Sequence, residues 1–153
     1  MAHYRLSSGA IDRVVDYDVT PEAPEVMSSG DDHMMIRQGV RCAGAHLIVD
    51  VFGGERLDDI AHVDETLRKC VEVAGATLLH VHLHHFDENG GVSGVAVLAE
   101  SHISIHSWPE HGYAALDIFM CGETRPEACV DVLRGAFSPD RIAVSEFLRG
   151  KGL

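Results

Sequence analysis

The sequence is poor in basic residues and has no long apolar run. Only 12 Lys and Arg residues oppose 24 Asp and Glu residues, which gives a formal net charge of −12. Because proteins bind nucleic acids largely through Lys and Arg that displace counterions, we expect no nucleic-acid partner. No stretch approaches the roughly 18 apolar residues of a membrane-spanning helix, and the N-terminus lacks a basic segment followed by an apolar one. We therefore expect a cytoplasmic protein with no membrane partner.

The sequence also lacks paired cysteine motifs. None of the four cysteines, Cys42, Cys70, Cys121 and Cys129, stands three positions from another. This spacing excludes a zinc-ribbon site and a Cys-x-x-Cys redox motif. We expect free thiols in a reducing compartment, and we expect Cys42, Cys70 and Cys129 to be buried because each lies in an apolar pattern.

The rest of the composition suits one domain that follows a polar extension. Of the 153 residues, 46% are hydrophobic, which is enough for a core without disulfide bonds. Residues 1–36 carry clusters of Ser, Gly and Pro and no sustained helical or strand periodicity. We interpret residues 1–36 as a mobile N-terminal extension and residues 37–153 as the folded domain.

Apolar residues at helical spacing predict two helices in this domain. The first helix ends at Gly75, where a C-terminal cap belongs, and its buried face is predicted to be Ile60, Val63, Leu67, Cys70, Val71 and Ala74. Thr124 and Glu127 have the spacing of a capping box that opens the second helix. The apolar face of that helix is predicted to be Cys129, Val132, Leu133, Ala136 and Phe137.

The strands and their order predict the fold class. Strands are predicted at residues 43–52, 76–86, 92–99, 102–107, 113–119 and 141–148, with a hairpin loop at 87–91. This order predicts an α+β two-layer sandwich, in which two helices cover one face of a largely antiparallel sheet. Segments such as 47–51 and 95–98 are apolar on both sides. We therefore expect the protein to dimerise through the sheet face that the helices leave open.

Reactive side chains are concentrated in one segment. They lie between positions 93 and 121, at Ser93, Glu100, Ser101, His102, Ser104, His106, Ser107, Trp108, Glu110 and Cys121. Taken one at a time, Ser and His on short strands are usually hydrogen-bonded surface residues, and a Trp before a proline suits a core anchor at a turn. The concentration of these residues in one segment is therefore stronger evidence for a functional site than any single residue.

Four motifs in and beside this cluster carry a family resemblance. They are Gly91-Val-Ser-Gly94, Ala99-Glu-Ser-His-Ile-Ser-Ile-His-Ser-Trp-Pro-Glu110, Gly112-Tyr-Ala-Ala-Leu-Asp-Ile-Phe119 and Cys121-Gly122. Together they resemble the small prokaryotic S-adenosylmethionine decarboxylases, strongly over residues 86–122 and more loosely from residue 43 to about residue 149. The first 36 residues lie outside the resemblance.

The resemblance implies a proenzyme that makes its own cofactor. In this family a serine hydroxyl, here that of Ser101, attacks the carbonyl of the preceding residue, here Glu100, and the chain is cleaved between them. The new N-terminus becomes a covalent pyruvoyl group, which forms a Schiff base with the substrate amine and accepts the electrons released with CO2. His106 is the candidate base for the Ser101 α-proton, because imidazole titrates near neutral pH. Ser93 matches the serine that assists processing at the tetrahedral intermediate.

The same resemblance assigns the remaining site residues. Cys121 matches the general acid that reprotonates the substrate carbon after decarboxylation. Phe86 and Trp108 match aromatic walls for the adenine ring, and Glu110 matches a carboxylate that binds the ribose hydroxyls. The implied substrate is S-adenosylmethionine, and the implied product supplies the aminopropyl group of spermidine. The implied assembly is a homodimer of cleaved chains with its active sites at the subunit interface.

Two alternative functions are compatible with the same residues. A pyruvoyl-dependent decarboxylase of arginine or ornithine has the same fold, and Glu110 with the loop acids Asp87 and Glu88 could receive a guanidinium group. A non-enzymatic chain would be an unprocessed regulatory partner of an active homologue. The complete set Ser93, Ser101, His106 and Cys121 speaks against that second alternative.

Histidines outside the cluster need a separate interpretation. His80, His82 and His84 alternate along a predicted strand, a spacing that can ligate a metal. Alternating strand histidines are also common without a metal, and the family resembled here needs none. We therefore predict no metal site.

Overall fold

Eight strands and two helices follow one another in residues 33–153, the part of the chain that the computed structural model describes. The strands are β1 (Met35–Arg37), β2 (Val40–Cys42), β3 (Gly44–Phe52), β4 (Leu78–His85), β5 (Val92–Leu98), β6 (Ser101–Trp108), β7 (Tyr113–Met120) and β8 (Arg141–Arg149). The helices are α1 (Ile60–Ala74) and α2 (Ala128–Phe137), and a short 3-10 turn (Pro109–His111) joins β6 to β7. The extension predicted over residues 1–36 lies outside the described residues except for its last four, of which Met35 and Ile36 belong to β1.

Six of these strands form one antiparallel sheet. Their order is β4-β5-β6-β7-β3-β8, and every neighbouring pair runs antiparallel. β1 and β2 pair only with each other, as a separate two-stranded hairpin. The predicted α+β fold with a largely antiparallel sheet is confirmed. The β1–β2 hairpin is an addition that we did not predict.

Both helices pack on one face of the sheet, as predicted. α1 begins after Asp59, whose carboxylate accepts a hydrogen bond from the His62 N–H at 3.0 Å, and it ends at Gly75 in the left-handed conformation. The two helices share a buried core with the inward side chains of the sheet, including Leu67, Leu133, Phe137, Leu47, Ile103 and Leu116. Neither helix in residues 33–153 is long and apolar enough to cross a membrane.

Three cysteines are buried packing residues, which confirms the prediction. Cys42, Cys70 and Cys129 are 0% exposed, and all four cysteines are free thiols. The Cys129 Sγ in α2 lies 3.5 Å from the Cys70 carbonyl oxygen in α1. The hydrogen bond with Cys129, together with burial, raises the pKa of the Cys70 thiol well above its usual value. This thiol therefore stays protonated and unreactive.

The start of α2 differs from the prediction. α2 begins four residues after Thr124, whose hydroxyl donates to the Cys121 carbonyl at 2.8 Å and does not cap the helix. The Glu127 carboxylate lies 3.2 Å from the Arg37 Nη1, and the same guanidinium also pairs with Glu146. The predicted capping box is wrong because the Glu127 carboxylate pairs with Arg37 and the Thr124 hydroxyl donates to the Cys121 carbonyl.

The other face of the sheet carries no helix in residues 33–153. Its side chains come from alternate strand positions and are rich in histidine, at His46, His80, His82, His84, His102 and His106. Apolar side chains are exposed on it as well, with Val97 39% exposed and Phe147 45% exposed. We refer to this surface as the open face.

Candidate active site

A two-residue turn joins β5 to β6 at the predicted cleavage position. Leu98 pairs with Ser101 across the hairpin, which leaves Ala99 and Glu100 at its tip. Glu100 has a φ of +58°, in the left-handed region that a residue with a side chain rarely adopts. Such a conformation costs about 1 kcal/mol or more. The peptide bond between Glu100 and Ser101 therefore follows a strained residue.

Ser101 and Cys121 meet beside this bond. Ser101 is 8% exposed, and its Oγ lies 3.7 Å from the Cys121 Sγ. The backbone N–H of Cys121 donates to the same Oγ at 3.3 Å, and the Cys121 thiol lies 3.5 Å from the Glu100 carbonyl oxygen. The thiol can therefore donate to the carbonyl that a serine attack would polarise. A serine, a thiol and the preceding carbonyl, all singled out from the sequence, come together at one point.

A second group of predicted residues lies on the open face. The Ser93 Oγ lies 2.9 Å from the His106 Nδ1, and the two residues are direct partners in the β5–β6 register. His84 is the partner of Ser93 on the opposite side, in β4. The hydrogen bond to Ser93 holds the His106 imidazole in one orientation, as a base with a defined target requires.

The aromatic side chains predicted to bind a nucleobase lie at the same end of the sheet. Phe86 and Trp108 line an open cleft of about 620 Å³ together with Ser93 and the loop that follows β4. The two residues are 44% and 38% exposed, so part of each ring is accessible to a planar ligand. Trp108 stacks on Tyr113 with ring centroids 5.4 Å apart, and Phe86 meets His84 edge-on at 4.7 Å.

Asn89, which we did not predict as a site residue from the sequence, orders the loop beside this cleft. Its side-chain oxygen accepts a hydrogen bond from the Gly91 N–H at 3.0 Å, and its amide nitrogen lies 3.4 Å from the Glu110 Oε1. Gly90 has a φ of +72°, so the Asn89-Gly90 pair is a turn signal that could have identified this residue. Asn89, which lines the cleft, thus contacts the predicted ribose-binding carboxylate of Glu110, which does not itself line the cleft.

The two groups of predicted residues lie at opposite ends of β6. Ser101 is the first residue of this strand and His106 the sixth, a separation of about 16 Å along the strand. Side chains alternate along a strand, so Ser101 lies with the buried Ile103 and Ile105 on the helix side, whereas His106 lies on the open face. Within one chain, the predicted base therefore does not reach the predicted cofactor precursor.

Comparison with known proteins identifies the family. A sequence model described as S-adenosylmethionine decarboxylase matches residues 45–150. The chain belongs to the S-adenosylmethionine decarboxylase family. The resemblance that the motifs predicted is thereby confirmed.

Individual relatives cover nearly the same part of the chain. An S-adenosylmethionine decarboxylase proenzyme of Thermomicrobium roseum is 45% identical over 112 residues, which make up 72% of this chain and 97% of that protein. A proenzyme of the same name from Methanococcus vannielii is 48% identical over 110 residues, or 70% of this chain and 89% of that protein. The crystal structure of the adenosylmethionine decarboxylase from Aquifex aeolicus VF5 matches with a TM-score of 0.63 and 32% identity, over 71% of this chain and 92% of that chain. The α+β fold is therefore the fold of a decarboxylase in this family.

The alternating histidines of β4 lie on the open face of this decarboxylase fold. His80 and His82 stack with their ring centroids 6.5 Å apart. Within residues 33–153, no group of three or more His, Cys, Asp or Glu side chains is arranged to hold a metal ion.

The hydroxyl of Tyr113, whose ring stacks on Trp108, has a raised pKa. Its hydroxyl donates to the Asp50 Oδ1 at 2.6 Å, and this hydrogen bond, together with burial, raises the pKa of Tyr113 to about 12. Because folding raises this pKa, the hydrogen bond stabilises the fold fully below about pH 10 and loses its effect as the pH approaches 12.

We predict that Asp50→Asn lowers the Tyr113 pKa toward about 10, because the charged acceptor is lost. The measurement is the ultraviolet absorbance of tyrosinate during a pH titration, with Tyr113→Phe to identify the transition that belongs to this residue. An unchanged high-pH transition in Asp50→Asn would contradict the proposed cause of the shift.

Proposed function

We propose that the chain is a self-cleaving, pyruvoyl-dependent decarboxylase that converts S-adenosylmethionine into its decarboxylated form and CO2. The observation that carries the proposal is the contact of the Ser101 Oγ and the Cys121 thiol beside the strained Glu100 carbonyl. This contact occurs in a chain of the S-adenosylmethionine decarboxylase family, and its relatives are named proenzymes. A proenzyme is a chain that must be cleaved before it acts.

Cleavage starts with an acyl shift at Ser101. The hydroxyl oxygen adds to the Glu100 carbonyl carbon, the amide C–N bond breaks, and the hydroxyl proton passes to the released amine, so that an ester replaces the amide. The Cys121 N–H holds the attacking oxygen, and the Cys121 thiol donates to the carbonyl oxygen as negative charge develops there. The left-handed backbone at Glu100 favours cleavage as a whole because its strain is released once elimination opens the chain.

Elimination completes the cleavage. A base removes the Ser101 α-proton and the bond between the Ser101 Cβ and the ester oxygen breaks, which leaves a carboxylate on Glu100 and a dehydroalanine at position 101. Water then replaces the nitrogen of this residue and ammonia leaves, so no oxidant or reductant is consumed. A pyruvoyl group at position 101 would supply an electrophilic carbonyl for the substrate amine and an electron sink for the bond to the carboxylate. Cys121 lies close enough to position 101 to return a proton to the substrate carbon.

The base in this scheme comes from a second copy of the chain. His106 and its partner Ser93 lie about 16 Å along β6 from the Ser101 of their own chain. A two-fold axis between two open faces can reverse the direction of β6, so that the His106 end of one copy meets the Ser101 end of the other. The exposed Val97 and Phe147 on the open face favour this contact. We therefore propose a homodimer with two shared sites.

The cleft beside His106 supports the choice of substrate. The exposed rings of Phe86 and Trp108 suit adenine. The Glu110 carboxylate, which contacts the cleft residue Asn89, suits the two ribose hydroxyls. The loop residues Asp87 and Glu88 and the net charge of −12 favour a cationic substrate, and S-adenosylmethionine is cationic because it is a sulfonium compound. Arginine and ornithine carry no ring for the aromatic walls and no diol for the carboxylate, so the cleft fits them less well.

We predict that the purified protein consists of two fragments under denaturing conditions. Mass spectrometry is expected to find one fragment that ends at Glu100 and one that begins at position 101 with a pyruvoyl group, while Ser101→Ala stays intact. The cleaved protein is expected to release CO2 from S-adenosylmethionine and not from arginine or ornithine. A wild-type chain that stays intact, or one that is cleaved and acts only on the basic amino acids, would contradict the proposal.

A second prediction separates the two roles of Cys121. Cys121→Ala keeps the backbone N–H that contacts the Ser101 oxygen and loses the thiol that donates to the Glu100 carbonyl, so this variant is expected to be cleaved more slowly but to completion. Its turnover per cleaved chain is expected to fall by about 100-fold or more, because the general acid is lost. Cys129→Ala removes a thiol buried between the helices and serves as the control with retained turnover. If Cys121→Ala kept half of the wild-type turnover, the thiol would be a packing residue and not the proton donor.

A further inference from the structure

The hairpin formed by β1 and β2 precedes the segment that matches the family. The match begins at residue 45, whereas this N-terminal hairpin comprises residues 33–42. Met35 is 1% exposed and Cys42 is 0% exposed, and both pack against Ala45 at the start of β3. The N-terminal hairpin is therefore packed onto the decarboxylase fold as an addition to it.

Arg37 anchors the N-terminal hairpin to two elements of the domain. Its guanidinium is 5% exposed and lies between Glu127, at the start of α2, and Glu146, in β8. Burial acts to lower the pKa of Arg37, but the two carboxylates outweigh burial and raise it, so the group stays charged. A buried guanidinium paired with carboxylates from two separate elements leaves the hairpin little freedom to shift.

One end of the anchored hairpin touches both sides of the proposed cleavage site. The His33 Nδ1 lies 3.0 Å from the Glu100 Oε2, and the Gly122 N–H donates to the His33 carbonyl at 3.0 Å. Glu100 precedes the bond that is cleaved, and Gly122 follows Cys121, whose backbone and thiol contact Ser101. His33 therefore bridges the two segments whose relative position sets the contact between Ser101 and Cys121.

We propose that His33 is a positioning residue for self-cleavage, an inference that rests on the cleavage reaction proposed above. The Glu100 side chain is 54% exposed, and its residue occupies a strained two-residue turn that can relax in several ways. The His33 imidazole contacts the Glu100 carboxylate, and the His33 carbonyl accepts from the Gly122 N–H. The two segments beside the reacting bond therefore keep their relative position. His33 touches neither the attacking oxygen nor the carbonyl carbon, and it acts through Glu100 and Gly122.

The test compares cleavage rates of newly made chains. Full-length chains are synthesised in a cell-free system, and a denaturing gel follows the conversion of intact chain into two fragments. We expect His33→Ala to be cleaved about three- to five-fold more slowly than wild type, the scale of effect for a partly exposed pair. His33→Gln, whose amide can still donate to Glu100, is expected to recover part of the rate.

Gln38→Ala is the matched control in the same hairpin. The Gln38 amide lies 3.3 Å from the Glu146 carboxylate and does not contact the cleavage turn, so its loss is expected to leave the cleavage rate within two-fold of wild type. Equal slowing of His33→Ala and Gln38→Ala, or a drop in thermal midpoint that matches the loss of rate in all three variants, would show a general effect of the hairpin and overturn the inference.

The outcomes also separate this inference from the proposed function. If wild type is not cleaved, the proposed function fails. If wild type is cleaved and His33→Ala is cleaved at the same rate, only the role of His33 fails. A positioning role in cleavage further requires that the cleavage rate falls more than the turnover per cleaved chain, and a larger fall in turnover would contradict it.

Discussion

The extended geometry of β6 is the constraint on which the proposed site depends. An extended strand advances about 3.3 Å per residue and turns successive side chains to opposite faces, so Ser101 and His106 are about 16 Å apart and point in opposite directions. β6 is paired on both sides, with β5 and with β7, so it cannot bend to close this gap. One chain therefore carries two separate groups of predicted residues, or half-sites, and in the homodimer that we propose a second copy of the chain completes each site.

Each half-site is ordered by local contacts that suit the chemistry proposed for it. At one end, the short β5–β6 turn forces Glu100 into a left-handed conformation beside Ser101 and Cys121. The strain of about 1 kcal/mol is small against a reaction barrier, so placement of the donors around the carbonyl matters more. At the other end, Ser93 orients His106 next to an aromatic cleft. The proposed dimer joins a cleavage half-site to a substrate-binding half-site.

Much of this arrangement could be predicted from the sequence because it depends on local periodicity. The helical spacing that ends at Gly75, the strand pattern and the buried cysteines were confirmed, but Ile60, which was predicted on the buried face of α1, is 38% exposed because it lies in the first turn of the helix. The helix cap at Thr124 was wrong because a buried arginine nearly a hundred residues earlier pairs with Glu127, and no local pattern encodes such a contact. Strands of three residues, as in the N-terminal hairpin, are too short for a period to be recognised. The separation of Ser101 from His106 was missed because the predicted strand began at residue 102, which left Ser101 in a loop of undefined direction.

The most direct test of the shared site is complementation between two inactive variants. Ser101→Ala lacks the attacking hydroxyl and His106→Ala lacks the base, so neither variant is expected to cleave itself when it is made alone. When both are made together, a mixed dimer has one complete site, formed by Ser101 of the His106→Ala chain and His106 of the Ser101→Ala chain. A shared site predicts that the His106→Ala chain is then cleaved after Glu100 while the Ser101→Ala chain stays intact. Mixed dimers in which neither chain is cleaved, or a His106→Ala chain that is cleaved on its own, would contradict it.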